Sequence, residues 1–180
     1  MKKLAAVLSM SLISSSLATS LIGTKQSVMS SSLCKKHSCV LKYSGLLRDA
    51  PESMKKYKTK EFEYSLEIGI SLHVLRKSDD SILSAFLKYD VFGWGQAYNG
   101  NGDPYVGDFS MSFLGYTPSK SLNDTCLTDL YMKGNTLETP GIKMGIMGLK
   151  NKLRLVCSAT LMQPGGFPSG SNVFVMASHD

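Results

Sequence analysis

The segment between residues 99 and 108 carries the side chains best suited to ion binding in this sequence. Oxygen-bearing side chains occur there at alternate positions, and carboxylate and amide oxygens are the ligands that Ca²⁺ prefers. Pro104 stands where an EF-hand loop needs a glycine, and no glutamate follows near Ser110. We therefore predict a weak calcium site at most, with an Asn/Gly turn as the alternative. The candidate ligands are Asn99, Asn101, Asp103 and Asp108.

Three aromatic residues, Trp94, Tyr98 and Tyr105, flank or lie in the same segment. Aromatic rings offer large rigid surfaces that stack on sugars or on partner side chains. Loops on a rigid scaffold are common positions for binding residues. We therefore predict that these three residues bind a ligand. The alternative for Trp94, the only tryptophan, is that it covers the core at the end of a strand.

Acidic residues and one histidine share a face of the strand predicted over residues 61–74. Paired carboxylates hydrolyse glycosides when they flank the substrate across a cleft. Residues two apart on one strand point the same way, so we predict cross-strand pairing with lysines, or hydration, for these groups. No G-x-S-x-G or H-E-x-x-H motif occurs, so nucleophilic catalysis has no support from motifs. The residues on this face are Glu61, Glu63, Glu67 and His73.

The four cysteines predict disulfide bonds. An even number of cysteines in an exported chain is typical of disulfides, because the compartments outside the cytoplasm are oxidising. Of the three possible pairings we favour Cys34–Cys39, which closes a short loop, together with Cys126–Cys157. The alternative is a partial zinc site with His37 as a third ligand.

Alternating hydrophobicity predicts the elements that carry these groups. Every second residue between 62 and 74 is apolar, which is the pattern of a strand with one buried face. A polar turn over 76–81 leads to a second alternating run over 83–91, so the two runs predict an antiparallel hairpin. The first run consists of Phe62, Tyr64, Leu66, Ile68, Ile70, Leu72 and Val74.

The remaining pattern predicts short strands separated by turns. Alternation resumes over residues 109–113 and recurs over 127–133, 142–147, 152–161 and 172–178. We therefore predict an all-β, mainly antiparallel fold, in the form of a single-domain β-sandwich or small barrel. A short helical or irregular segment over residues 52–60 precedes it. The predicted divisions are a signal peptide at 1–20, a basic lead-in at 21–60 and a β domain at 61–180.

The first twenty residues have the pattern of a secretory signal peptide. Lys2 and Lys3 precede an apolar run from residue 4 to 17, and small residues follow. Ala18 and Ser20 match the small residues before a cleavage site, so we predict cleavage after Ser20. The protein is then exported, and is either periplasmic or secreted.

Positive charge is concentrated in the lead-in. Residues 21–60 contain nine Lys or Arg and two acidic residues, whereas residues 61–180 contain nine basic and twelve acidic residues. This asymmetry predicts contact with an acidic partner, and a solvated basic face is the alternative. Export excludes intracellular nucleic acid as that partner. The basic residues proposed for the contact are Lys55, Lys56, Lys58 and Lys60.

Together these features predict an exported, disulfide-stabilised β protein that acts by binding. The partner would be a protein, a glycan or an envelope component, as for an inhibitor, an immunity protein or an adhesion-like module. Apart from calcium, no cofactor is predicted. The alternatives are a secreted hydrolase with dispersed catalytic residues and a small outer-membrane β-barrel.

Overall fold

The computed structural model describes residues 20–48, 58–90, 104–117, 142–150, 153–160 and 172–179. The predicted strand at 127–133 and most of the segment at 52–60 lie outside these residues. A single 3-10 turn, Val28–Ser30, precedes the first helix. The regular elements are α1 (Ser32–His37), β1 (Val40–Leu46), β2 (Lys60–Glu67), β3 (Ile70–Arg76), β4 (Ile82–Tyr89), α2 (Pro104–Leu114), β5 (Ile142–Lys150), β6 (Leu153–Thr160) and β7 (Asn172–His179).

The strands form one seven-stranded sheet in the order β1-β2-β3-β4-β7-β6-β5. Every neighbouring pair is antiparallel. This confirms the mainly antiparallel β class. Across the described residues β1 and β5 are the outermost strands, so the sheet is open. The more specific prediction, a sandwich or small barrel, is therefore not confirmed.

The hairpin predicted around residues 76–81 is confirmed, because β3 and β4 pair across that turn. The single long strand predicted over 61–74 is wrong. The chain reverses after Glu67, at Ile68 and Gly69, and β2 pairs back onto β3. Gly69 has a φ of 78°, in the left-handed region that glycine adopts readily. The apolar residues on both sides of the turn have even numbers, so the sequence alternates across the turn without a break. Ile68, which lies in the turn, is 76% exposed.

The strand predicted over residues 109–113 is also wrong, because these residues belong to helix α2. Phe109 and Phe113 are four residues apart, a spacing that places them on one helix face as readily as on one strand face. Their ring centroids are 5.0 Å apart and both residues are fully buried. Met111, which a strand would have buried with them, is partly exposed. Pro104 is the first helical residue, a position at which proline is favoured.

The core lies on one face of the sheet, where the two helices and the N-terminal segment cover it. Cross-strand pairing places Tyr64, Leu72 and Leu87 side by side on this face. Burial of such side chains is the main stabilising contribution to a fold of this kind, at roughly 25 cal/mol per Å² of apolar surface. The residues that cover them include Leu21, Ile22, Val28, Leu33, Val106, Phe109 and Phe113.

The segment that follows residue 19 is attached to the sheet by backbone hydrogen bonds. Gly23 N donates to Ile82 O at 2.8 Å, and Ile82 N donates to Thr24 O at 2.8 Å. The guanidinium of Arg76 donates to the Gln26 carbonyl at 2.6 Å and to the Asp80 carbonyl at 2.5 Å. The start of the predicted lead-in therefore packs against the β3–β4 turn.

The predicted disulfide Cys34–Cys39 is present and connects α1 to the residue before β1. Between the two cysteines Ser38 adopts a left-handed conformation with a φ of 50°, which turns the chain from helix to strand. Cys126 lies outside the described residues, so its pairing with Cys157 on β6 stays a prediction. No helix in the described part of the chain has the length and apolar character needed to cross a membrane.

Candidate functional site

The most distinctive arrangement of chemical groups lies on the sheet face opposite the core. Because successive residues of a strand alternate between faces, the odd-numbered residues of β2 and β3 point to this side. The register pairs Glu63 with His73 and Ser65 with Ser71. On the next strand Phe86 lies opposite His73, and Lys88 lies opposite Ser71.

A hydrogen-bonded chain of Glu61, His73 and Ser71 lies on this face, across β2 and β3. His73 Nδ1 is 2.9 Å from Glu61 Oε1, and His73 Nε2 is 3.0 Å from Ser71 Oγ. Glu61 and His73 are only 5% and 7% exposed, whereas Ser71 is half-buried. In the tautomer that carries its hydrogen on Nδ1, His73 donates a hydrogen bond to the carboxylate and accepts one from the Ser71 hydroxyl.

Arg48 pairs with the carboxylates of Glu61 and Glu63, at the end of the hydrogen-bonded chain that is opposite Ser71. Its Nε lies 3.3 Å from Glu61 Oε2, and its Nη2 lies 2.5 Å from Glu63 Oε2. The Arg48 guanidinium carbon is 4.0 Å from the centroid of the Tyr43 ring, a cation–π contact. Both Glu61 oxygens therefore have a partner, Oε1 in His73 and Oε2 in Arg48.

These contacts determine the charge of Glu61. Burial by itself raises the pKa of a carboxyl group, but the hydrogen bonds from His73 and Arg48 outweigh burial and hold the pKa of Glu61 below its ordinary value. Glu61 is therefore ionised at neutral pH. An ionised carboxylate accepts hydrogen bonds only, so it favours the Nδ1–H tautomer of His73.

The ring of His73 is also held in place by packing. It stacks on Phe86 with ring centroids 4.6 Å apart and an angle of 5° between the planes. Glu61 holds one edge of the imidazole while Phe86 covers one face. The ring is therefore fixed in the plane that points Nε2 toward Ser71 Oγ.

Ser71 opens onto a polar cleft beside this chain. The cleft has a volume of about 280 Å³. Carboxylates, ammonium groups and hydroxyls surround it, so it can both accept hydrogen bonds from a ligand and donate them to it. Its walls are formed by Lys42, Glu63, Ser65, Glu67, Gly69, Ile70, Ser71, Lys88 and Asp90.

A second polar cluster joins the two helices. Asp108 Oδ2 on α2 lies 2.8 Å from Lys36 Nζ and 2.7 Å from His37 Nε2, both on α1. Burial raises the pKa of Asp108, but hydrogen bonds from Lys36 and His37 more than compensate and lower it. The His37 ring is also 4.5 Å from the Tyr105 ring. This cluster holds α1 against α2 on the core side of the sheet.

Of the residues predicted to bind calcium or to bind a ligand through an aromatic ring, only Tyr105 and Asp108 lie in the described ranges. Tyr105 lies in α2 rather than in a loop, and it is 4% exposed. Asp108 lies in the same helix and pairs with α1. In the described ranges no three potential metal ligands cluster together. The other predicted residues, Trp94, Tyr98, Asn99, Asn101 and Asp103, lie outside those ranges.

Two further sequence predictions have a structural outcome. The zinc alternative at residues 34–39 is wrong, because the two cysteines form a disulfide and His37 binds Asp108. Of the lysines predicted to contact an acidic partner, Lys58 is exposed, and Lys60 Nζ lies 3.0 Å from Asp80 Oδ1. Lys55 and Lys56 are outside the described residues.

Sequence reasoning placed Glu61 and His73 on one face but missed that they meet. It assigned Glu61 a lysine partner or water, whereas Glu61 is buried between His73 and Arg48. Ser71 could have been found in the sequence from its spacing of two residues from His73, which places both on one strand face. The contact between His73 and Glu61 could have been found from Gly69, which permits the reversal between β2 and β3.

Comparison with known proteins gave no match. No protein-family model matches the chain, and neither a curated protein nor a solved structure matches it. The function proposed below therefore depends on the site.

Proposed function

We propose that this protein is exported and binds a hydroxyl-rich ligand, a glycan of the cell envelope, in the polar cleft of its sheet. The observation that supports this proposal is the composition of the cleft walls. Three carboxylates, two lysines and two serines line it, and Ile70 is the only large apolar residue among them. Sugar hydroxyls donate to carboxylates and accept from ammonium groups, so this wall matches a carbohydrate better than an apolar compound.

The size of the cleft is consistent with binding one sugar unit of a longer glycan. Its volume of about 280 Å³ lies just below the usual range for ligand pockets, which is roughly 300–1,000 Å³. The ligand would contact the rigid sheet through Glu67 and Lys88, which lie on different strands. Trp94 and Tyr98 remain proposed contributors through stacking.

Export is supported by the N-terminal sequence pattern and by cysteine usage. Lys2 and Lys3, the apolar run and Ser20 have the order found in secretory signal peptides. The Cys34–Cys39 disulfide is typical of oxidising compartments, which include the periplasm and the extracellular medium. The glycan would therefore be one that is reachable outside the cytoplasm.

A binding measurement on two cleft variants tests this proposal. Soluble glycan fragments from the envelope are titrated by calorimetry into the protein that begins at Leu21. We expect Lys88→Met and Glu67→Gln each to weaken binding by about tenfold or more, the loss expected for a hydrogen bond to a charged group. Lys77→Met provides the matched control, because Lys77 is an exposed lysine in the β3–β4 turn, away from the cleft.

Two results would contradict the proposal. One is a folded protein that binds none of the envelope glycans. The other is binding that Lys88→Met and Glu67→Gln leave as strong as in Lys77→Met. Either result removes the cleft as the ligand site.

A further inference from the structure

The chain of Ser71, His73 and Glu61 has the arrangement of an activated nucleophile. A serine hydroxyl is a weak nucleophile unless an adjacent base accepts its proton, and that base works best when a third group orients it. Here the serine–base distance is 3.0 Å and the base–carboxylate distance is 2.9 Å. Each is a normal hydrogen bond, so proton transfer needs no rearrangement of these three side chains.

From this geometry we propose that Ser71 is a catalytic nucleophile that cleaves a carboxylic ester bound in the polar cleft. His73 is its general base, and Glu61 is the positioning residue. This inference goes beyond the proposed glycan binding, because a reactive serine is detected with small reagents whether or not a glycan binds.

The reaction balances with water as the only co-reactant. The Ser71 Oγ–H proton moves to His73 Nε2 while Oγ forms a bond to the ester carbonyl carbon. The bond from that carbon to the alcohol oxygen then breaks, and the alcohol leaves with the proton from His73. Water next adds to the acyl group and gives a proton to His73, the Oγ–carbon bond breaks, and Ser71 recovers that proton as the carboxylic acid departs.

The surroundings of Ser71 provide access for a substrate and a cationic residue on the neighbouring strand. Ser71 is half-buried and faces the cleft, so a substrate reaches its Oγ. Lys88 lies directly opposite Ser71 on β4, where side chains start about 5 Å apart. In the proposed reaction its ammonium group stabilises the negative charge that develops on the carbonyl oxygen.

Covalent labelling tests the nucleophile directly. A fluorophosphonate reagent forms a bond between the serine oxygen and phosphorus and releases fluoride. We expect the folded protein to be labelled, with the adduct on Ser71 when peptides are mapped by mass spectrometry. Ser78→Ala is the matched control, because Ser78 is an exposed serine in the β3–β4 turn, away from the cleft. Labelling should persist in Ser78→Ala and disappear in Ser71→Ala.

Two labelling results would overturn the proposal. One is that the folded protein takes up no reagent. Another is that the adduct maps to a serine other than Ser71. Because the mapping uses the unchanged protein, this result stands even where Ser71→Ala fails to fold.

Ester hydrolysis separates the roles of the three residues. With p-nitrophenyl acetate as substrate, Ser71→Ala should lower the rate of hydrolysis to that of a protein-free solution that contains imidazole at a comparable concentration. Glu61→Gln should lower kcat by about 10²–10⁴-fold with little change in KM, as expected when a charge that orients the base is lost. Equal rates in Ser71→Ala and the unchanged protein would overturn the proposal. A change of kcat and KM by the same factor in Glu61→Gln would also overturn it. Failure of glycan binding alone would leave these results unaffected.

Discussion

Glu61 is an ionised carboxylate in a buried position of the sheet. Burying a charge is costly unless partners and hydrogen bonds compensate it. Here His73 and Arg48 provide both, from a neighbouring strand and from the segment after β1. The same contacts that stabilise the charge determine the orientation of the His73 ring.

The lowered pKa of Glu61 predicts a dependence of stability on pH. A carboxyl group whose folded-state pKa lies below its unfolded value of 4.5 stabilises the fold above that pH. This contribution is lost as the pH falls below 4.5 toward the folded-state pKa. Glu61→Gln should therefore lower the free energy of unfolding at neutral pH by about 1–3 kcal/mol. Below pH 4.5 the difference between variant and unchanged protein should shrink.

Urea unfolding between about pH 3 and pH 7 measures this effect. Glu67→Gln is the control, because Glu67 is an exposed glutamate at the end of the same strand. Parallel stability curves for Glu61→Gln and the unchanged protein would show that Glu61 is not the group responsible.

At the scale of elements, the turn between β2 and β3 decides which side chains meet. The reversal at Ile68 and Gly69 brings Glu61 beside His73, although the two are twelve residues apart in sequence. The turn places Gly69 in the left-handed region and lets its carbonyl accept a hydrogen bond from Asp90 N at 2.9 Å. A site assembled from two strands therefore depends on one backbone conformation.

Two glycine substitutions with opposite expected effects test this dependence. Gly69→Ala forces a side chain into the left-handed region and should destabilise the protein by about 1–2 kcal/mol. Gly107→Ala is the matched control, because Gly107 lies inside α2 and an added Cβ would meet Thr117 at an ordinary 3.5 Å. It should stabilise the protein by about 0.5–1 kcal/mol, the usual gain for alanine in a helix. Thermal unfolding measures both, and equal effects of the two substitutions would contradict the assignment of the turn.

At the scale of the whole molecule, the segment after residue 20 completes the core. Leu21 and Ile22 are buried against the helices and the sheet. Leu21 N donates to Ser112 O at 3.1 Å, and Gly23 and Thr24 pair with Ile82. Cleavage after Ser20 would therefore leave these contacts in the mature protein.

This position of the segment predicts where processing can occur. Intact mass of the protein recovered from the envelope should correspond to a chain that begins at Leu21. A chain that begins at Lys25 should lose at least about 2–5 kcal/mol of stability, since two buried aliphatic side chains are removed. Urea unfolding of the two chains measures the difference. A mature protein that begins after residue 24 with undiminished stability would contradict the prediction.

The sequence by itself determined the features that depend on neighbouring residues. Alternation marked the apolar face of residues 62–74, which form β2 and β3 rather than one strand, and it marked β4 and the late strands predicted over 142–147, 152–161 and 172–178. Close spacing predicted the Cys34–Cys39 bond, because a short loop brings the two thiols together at small entropic cost. The antiparallel β class followed from these local patterns.

Only the tertiary structure decided which distant groups meet. The helix at residues 104–114 depends on contacts of its buried face with α1 and the sheet, since its aromatic spacing fits strand and helix equally. The chain of Ser71, His73 and Glu61 depends on the register of β2 against β3, and the contact of Arg48 with Glu61 depends on where the segment after β1 lies. Periodicity reports which side of one segment is apolar, and it contains no information on the register between segments. The candidate site was therefore visible as residue types in the sequence but became a site only in the folded protein.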